Sequence, residues 1–385
     1  MTKPLLGIYL HYPFCAKKCP YCDYNTHVRA SVDDAAWRAA YLAEIRHYAA
    51  LIPDYTVASI FFGGGTPSLV PPETIAALIE AIHEAWPVTD DLEITLEANP
   101  TSSEAERFLG YKNAGVNRVS LGVQALDDAA LGFLGRTHSA AEGLRAMELA
   151  AQHFDRWSFD LMYGRPGHTV EAWEKELESA LSCGAQHVAL YQLTIEDNTA
   201  FARAHARGDF VLPDDETCLA LFDATESIAA GHGLHHYEVS SFAVKGQECR
   251  HNLGYWQHRD YLGIGAGAHG RITLHGQRHA VDTIKQPEAW LSAVLRQGHG
   301  RASLTPLSRQ EQVEEAVLLG LRLESGLDAA QWRQRFGTEN SENVSKSGLL
   351  EAIARGLLIQ DARGIRTTPQ GLRVLNTVER LLLAI

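Results

Sequence analysis

Leu5-Leu-Gly-Ile-Tyr-Leu-His-Tyr12, then Pro13-Phe14, then Cys15-Ala-Lys-Lys-Cys19-Pro-Tyr-Cys22: an apolar run delivers the chain into a loop that holds three cysteines. Eight residues rich in leucine and aromatics fit a strand buried on both faces. Three of the six cysteines crowd into this loop, while Cys183, Cys218 and Cys249 stand alone. A disulfide framework spreads its cysteines, so the trio reads as metal or redox chemistry. The scattered three read as small buried residues. Iron–sulfur clusters commonly take four thiolates. Three would leave one iron of a cubane open to a chelating ligand, such as the amine and carboxylate of an amino acid. The rival is a structural zinc with His11 or His27 as fourth ligand, although zinc sites usually arrive as two separated cysteine pairs.

Outward from this loop the alternation continues for two hundred residues. Apolar runs at 57–62, 92–98, 118–124, 157–163 and 187–195 predict strands. Patterns at 33–51, 72–85, 102–114, 140–152 and 170–183 predict helices between them, with Ser102 and Thr169 as cap-like starts and Gly115 and Gly184 as stops. Six β/α units in a row imply an α/β fold with right-handed crossovers, and a partial (β/α)6 barrel is the expected form.

In such barrels the chemistry sits on loops that follow the strands. The cysteine loop follows the first strand, and Gly63-Gly64-Gly65-Thr66-Pro67 follows the second. Glu97 ends the third, Gln124 ends the fourth, Asp160 lies in the fifth, and Tyr191 and Gln192 come late in the sixth. Chance supplies two or three such features on one rim less strainedly than six. Each also has a plain structural reading. The glycines bring backbone close to a ligand, or simply make a tight turn. Glu97 accepts hydrogen bonds from an ammonium or from sugar hydroxyls, or is a solvated strand end. Asp160 in an apolar run needs a partner, either a ligand or an internal salt bridge with Arg136 or Arg118.

Bulk properties bound the rest. The 385 residues suffice for one large domain and a smaller one. No run of eighteen apolar residues exists and Met1 to Leu6 lacks a signal-peptide layout, so a cytoplasmic location is expected, with peripheral contact at the inner face of the membrane left open. A net charge of −13 argues against nucleic acid as a partner. From about residue 306 the pattern changes to helices at 310–323, 327–336 and 347–355, a hairpin near 357–368 and a closing helix at 369–383. That is a winged-helix-like α+β module, read here as a cover or docking surface rather than a DNA reader. The expected domains are 1–240, a post-barrel extension at 241–305, and 306–385. Gly263-Ile-Gly-Ala-Gly-Ala-His-Gly270 has no strand–helix unit with a following acid, so it reads as a tight turn at the barrel edge.

Cys-x-x-x-Cys-x-x-Cys after a first strand, with Gly-Gly-Gly-Thr-Pro after the second, resembles the radical S-adenosylmethionine superfamily. Glu97-Ala-Asn-Pro100, Gly115-Val-Asn-Arg-Val-Ser-Leu-Gly-Val-Gln124, Asp160-Leu-Met-Tyr-Gly164, Tyr191-Gln-Leu-Thr-Ile-Glu196 and His251-Asn-Leu-Gly-Tyr-Trp256 extend the match nearly end to end. They are similar to the oxygen-independent coproporphyrinogen oxidase-like family, and most closely to its heme-chaperone branch. The resemblance implies a [4Fe-4S] cluster on Cys15, Cys19 and Cys22. It implies S-adenosyl-L-methionine contacts from Tyr9, Gly64, Gly65, Thr66, Glu97, Gln124, Arg136 and Asp160, and leaves open whether one or two such molecules bind. The oxidases carry a further cysteine two residues after the third; here that position is Tyr24, which has no thiol to offer. The expected function is therefore heme binding and delivery to a heme-accepting enzyme of the respiratory chain. The alternative is a radical enzyme acting on a porphyrin, by decarboxylation or ring opening, served by an electron donor such as flavodoxin. His251 is the expected axial heme ligand, since imidazole is a standard one, with Tyr255 and Trp256 to pack on the macrocycle. Its plain reading is a loop histidine, and His232, His235, His236 and His269 are rivals.

Overall fold

The structure, a computed structural model, describes residues 3–383. Six parallel strands form its centre: β1 (Leu5–Tyr12), β2 (Thr56–Gly64), β3 (Val88–Ala98), β4 (Arg118–Gln124), β5 (Arg156–Tyr163) and β6 (His187–Gln192). They pair in chain order. Long stretches of β2 and β5 are buried on both faces, which is why they read as unbroken apolar runs rather than alternations. The crossovers include α1 (Asp34–Leu51), α2 (Pro72–Ala85), α3 (Ala140–His153) and α4 (Val170–Leu181). Local chemistry fixes their starts. Asp33 and Thr169 cap α1 and α4, Pro72 sits in the first turn of α2, and Ser139 and Glu142 form a reciprocal capping box on α3. The helix expected over 102–114 is two short pieces, Ser102–Ala105 and Phe108–Asn113.

The sheet is larger than six strands. Beyond β6, two short strands, β7 (His235–Glu238) and β8 (Ser241–Ala243), add antiparallel pairs. On the other side β9 (Asp260–Ile264) pairs parallel with β1, with Leu6 opposite Asp260 and Leu10 opposite Ile264. Then β10 (His269–Leu274), β11 (Gln277–Thr283) and β12 (Arg301–Pro306) continue antiparallel. The resulting twelve-stranded sheet stays open, because β12 and β7 end it without pairing to each other. Residues 241–305 thus build into the same sheet as residues before them. The Gly263–Gly270 stretch is the end of β9, a turn and the start of β10. Glu44 of α1 pins this turn, its buried carboxylate accepting from the N–H groups of Gly265 (2.9 Å) and Gly300 (2.6 Å) and from the indole of Trp290.

The C-terminal residues form a separate core around Val317, Leu321, Trp332, Phe336, Ile365 and Val378. Helices Arg309–Gly320, Ala329–Phe336 and Lys346–Ala354 precede a hairpin of Leu358–Asp361 with Gly364–Thr367, and Leu327–Asp328 adds a third strand. The closing helix is broken at Val374 into Pro369–Arg373 and Leu375–Leu383.

Candidate functional site

The cysteine loop sits over the C-terminal end of β1. Phe14–Cys15 pairs with His27–Val28, which closes the loop at its base. Asn25 ties it to the turns that follow β9 and β11: its Nδ2 donates to the carbonyls of Ala266 (2.9 Å) and Lys285 (2.8 Å), and its own carbonyl meets His11 Nε2 at 3.0 Å. Cys15 is buried, and Cys19 and Cys22 are half-buried. Burial pushes the Cys15 thiol up, and so do the neighbouring Cys19 and Cys22 sulfurs. Arg136 Nη1 lies 3.5 Å from Cys19 Sγ. Among the described residues no three His, Cys, Asp or Glu side chains converge as ligands of one ion. A single zinc needs such convergence; a cubane meets each thiolate at a different iron. The other cysteines divide: Cys249 is buried as expected, but Cys218 is half-buried and Cys183 exposed, because Cys183 falls just past the end of α4 rather than inside the core.

The glycine turn after β2 is a close approach. Gly64 has φ 111°, a left-handed conformation that favours glycine. A Cβ on Gly65 would stand 2.5 Å from the Phe14 carbonyl oxygen, so only glycine lets this turn lie against the strand feeding the cysteine loop. Gly65 N donates to Tyr12 O (2.6 Å) and Thr66 N to Phe14 O (2.9 Å). Thr66 Oγ1 accepts from Asn99 Nδ2 at 3.3 Å.

Two carboxylates face this turn from β3 and β5. Glu97 accepts from Gly64 N at 3.2 Å. Burial, and then the Asp160 charge, push its carboxyl up to about 8. Burial pushes Asp160 up to about 7, against a 3.4 Å bond from Ser120 Oγ. The alternative partner for Asp160, an internal salt bridge with Arg136 or Arg118, does not form. Arg118 pairs instead with the fully buried Glu93, and Arg136 donates to Asn99 Oδ1 and Gly122 O, each at 2.7 Å. Among the described residues no cationic side chain is bonded to either of these two half-buried acids, although the Arg136 charge is near enough to Asp160 to oppose part of its rise. That is the electrostatic complement of a cationic ligand.

The remaining expected residues close the rim. Tyr9 bonds His11 Nδ1 at 3.2 Å. Gln124 stands at φ 69° and accepts from the Tyr191 hydroxyl. Tyr24 is exposed at the mouth, within electrostatic reach of Glu97 and Asp160. The structure therefore gathers Cys15, Cys19, Cys22, Tyr9, Gly64, Gly65, Thr66, Glu97, Gln124, Arg136 and Asp160 on one face. Asn99 and Asn25 escaped the sequence reading as site residues. Asn99 lay inside the quoted Glu-Ala-Asn-Pro, but only the fold reveals that it joins Arg136 to Thr66.

His251 lies elsewhere. It belongs to a short helix, α5 (Arg250–Trp256), and is buried beneath the rim. Its ring stacks on Phe61 (4.9 Å between centroids) and on Tyr9 (6.3 Å). Nδ1 shares a 2.8 Å hydrogen bond with Ser59 Oγ and Nε2 a 2.7 Å bond with the Tyr255 hydroxyl. Burial pushes it down to about 3, so it is neutral. Both ring nitrogens are engaged, and an axial bond to iron requires one of these partners to let go. Of the rivals, His232 bonds Glu178 and His269 bonds Asp282.

Comparison with known proteins bears on this geometry. The pattern of the Radical SAM superfamily matches residues 9–180, and that of the HemN C-terminal domain matches residues 307–374. The chain is 39% identical, over 97% of its length and 86% of the relative's, to the Bos taurus protein called radical S-adenosyl methionine domain-containing protein 1, mitochondrial. It is 35% identical to the heme chaperone HemW of Escherichia coli, over 99% of both chains. The solved structure of coproporphyrinogen III oxidase (HemN) from Escherichia coli shares the fold: TM-score 0.81 at 22% identity, covering 98% of this chain and 90% of that one.

Proposed function

The chain belongs to the radical SAM superfamily and, within it, to the family of the HemW heme chaperones, and from that membership we propose that it binds heme and delivers it to heme-dependent enzymes. The observation that carries this reading is the end-to-end likeness to a heme chaperone, 35% over 99% of both chains. Tyr24 supports it, since it leaves the cysteine loop without a fourth thiol.

On this reading Cys15, Cys19 and Cys22 hold a [4Fe-4S] cluster and the rim holds S-adenosyl-L-methionine. The donor set fits both groups: three thiols on one loop, a glycine turn that a Cβ would obstruct, and two acids with no cation bonded to them. Bound cluster supplies one-electron reduction of the sulfonium; the chain's part is binding, orientation and exclusion of water. Glu97 and Asp160 receive positive charge, Gly64 and Gly65 admit backbone contact, and Gln124 with Tyr191 closes the far side. His251 is proposed to meet heme iron after exchanging the Tyr255 hydroxyl for it. The acceptor is proposed to be a respiratory enzyme, met from the cytoplasm at the inner face of the membrane. No helix among the described residues is long and apolar enough to cross one.

The test is heme titration of anaerobically prepared protein, followed by transfer to a heme-free acceptor. Saturable binding and transfer are expected; absence of either overturns the reading. The second reading, a radical enzyme acting on a porphyrin and served by a donor such as flavodoxin, is favoured by the shared oxidase fold. Incubation with coproporphyrinogen III, S-adenosyl-L-methionine and a reductant decides it. Protoporphyrinogen formed at catalytic turnover would sink the chaperone-only reading.

A further inference from the structure

At the rim end of β4 and β5 the two strands fall out of step. Leu121 stands opposite Phe159 and Gln124 opposite Leu161, so the three steps from Leu121 to Gln124 face the two from Phe159 to Leu161. That is a bulge, and a bulge beside a site re-aims a side chain. The re-aimed residue is Gln124. Its φ of 69° lies in the left-handed region, which a residue with a Cβ rarely adopts. Its side chain meets the Tyr191 hydroxyl, and the Gly122 carbonyl, inside the bulge, accepts from Arg136 at 2.7 Å. A strained residue keeps its place only where its surroundings hold it there.

One side chain from outside the rim does the holding. Glu176, in the second turn of α4, accepts from the N–H of Leu126 at 2.6 Å. Leu126 is two residues beyond Gln124. The same carboxylate takes both Nη groups of Arg165, Nη1 at 3.3 Å, and lies 3.6 Å from His168 Nε2. Arg165 follows β5, so one carboxylate grips the segments that leave β4 and β5, just past Gln124 and Asp160. All three side chains are at most a tenth exposed. Burial raises the Glu176 carboxyl, but bonds from His168 and Arg165 outweigh it and hold the group below the usual carboxylate range. It is therefore charged, and its bond from Leu126 is charge-assisted. A buried ion pair contributes little net stability by itself. Its effect here is to fix an acceptor at the place where the bulge ends.

We propose that Glu176 is a positioning residue for S-adenosyl-L-methionine: by holding Leu126 it keeps Gln124 aimed at the rim, and it sets the affinity for that ligand without touching it. This rests on the rim reading above, in which Gln124 faces S-adenosyl-L-methionine, and adds to it the residue that keeps Gln124 in place. The effect belongs to the bond from Leu126 rather than to the ion pair. Arg165 orients the carboxylate, but Leu126 is where its hold enters the rim.

The experiment separates the two on full-length protein with its cluster reconstituted anaerobically. Wild type is compared with Arg165→Met, with Arg165→Met/Glu176→Met and with Arg165→Met/Glu176→Gln, each with and without Gln124→Ala. Equilibrium dialysis against S-adenosyl-L-methionine reads affinity, iron and sulfide analysis reads the cluster, and thermal melts read stability. The double methionine variant exchanges the buried pair for apolar groups of similar size, so it is expected to fold. Its affinity for S-adenosyl-L-methionine should fall about tenfold, or about 1.4 kcal/mol, with cluster content unchanged. Arg165→Met alone should melt lower yet bind close to wild type. Glu176→Gln beside Arg165→Met keeps an oxygen for the Leu126 N–H and should recover most of the affinity. In the Gln124→Ala background the Glu176 changes should add no further loss, because the residue they position is gone. Affinity that follows melting temperature across the set, additive losses in the Gln124→Ala background, or unchanged affinity in the double methionine variant would each overturn the inference and leave the pair a structural support. Wild type that carries a full cluster and binds no S-adenosyl-L-methionine overturns the rim reading itself, and Gln124→Ala with wild-type affinity removes Gln124 from it; either result takes the positioning role with it.

Discussion

Glu97 and Asp160 carry the strongest electrostatic signature on the rim. Both carboxyls titrate far above an ordinary acid, at about 8 and about 7, and burial is the first cause in each. An acid whose folded pKa is raised binds its proton more tightly in the fold than in the unfolded chain. The ligand-free fold therefore loses stability as pH rises from the unfolded values near 4.5 and 3.8 through the folded ones. The expected outcome is a melting temperature that falls between about pH 4 and pH 8 in the absence of ligand and levels off above that. Asp160→Asn should flatten that slope, with a stabilisation at pH 9 of about 2 kcal/mol. The opposite slope in thermal melts, or an unchanged one in the variant, would count against unpaired buried acids. His251 presents the inverse case. It is kept neutral by burial and held by two hydrogen bonds. His251→Ala leaves Ser59 and Tyr255 without their partner and opens a void under Tyr9, at a cost of about 2–4 kcal/mol. Chemical denaturation should show that loss. Heme titrations of this variant are therefore best read beside His251→Gln, which keeps a polar group in place.

At the scale of elements, the strand ends matter because other elements hold them. The cysteine loop is positioned by Asn25, which bonds carbonyls 241 and 260 residues further on, in the turns after β9 and β11. Asn25→Ala removes both bonds without touching a cysteine. Expected is a folded protein, weakened by about 1–2 kcal/mol, whose cluster is incomplete after anaerobic reconstitution; iron and sulfide analysis reads it. Full iron content would show that the loop is set by its own sequence. The same comparison shows what the sequence could carry. The six parallel strands were legible because burial on both faces leaves a long apolar run. β9 was not: Asp260-Tyr-Leu-Gly-Ile264 is short and begins on an acid, and only pairing with β1 makes it a strand. β11 and β12 were missed because strands at the sheet's margin carry arginines, histidines and serines on a half-exposed face. At the site, residue types and spacing gave the three thiols, the glycines and the acids. What they could not give was Asn99, whose value lies in touching Arg136 and Thr66 at once, or the depth of His251, which depends on a helix folding under the strands.

For the whole molecule, the question is what holds the C-terminal core against the sheet. The joint is polar. Glu315 accepts from Arg271 at 2.8 and 2.9 Å and meets His258 Nε2 at 3.3 Å; Arg335 bonds the His258 carbonyl; Arg322 lies 4.7 Å over the ring of Trp256, the last residue of the helix that carries His251. An edge contact between Glu238 and Leu323 adds backbone pairing. Bonds from Arg271 and His258 hold the Glu315 carboxyl down at about 2, despite the opposing effect of its burial. A carboxylate with a depressed folded pKa contributes stability that is complete above its unfolded value and is lost as pH falls through the folded one. Between about pH 4.5 and pH 2 the joint should therefore loosen before the parallel sheet melts. Hydrogen exchange in helix Arg309–Gly320 and in α5 is expected to rise together over that window, while β2 and β5 stay protected. Glu315→Gln should reproduce the rise at pH 7 and remove its pH dependence. Since Trp256 and His251 share one helix, the same variant should weaken heme binding even though Glu315 does not line the rim. Protection that stays high in α5 while helix Arg309–Gly320 opens would show that the C-terminal core is a passenger on the sheet rather than a support for the histidine beneath it.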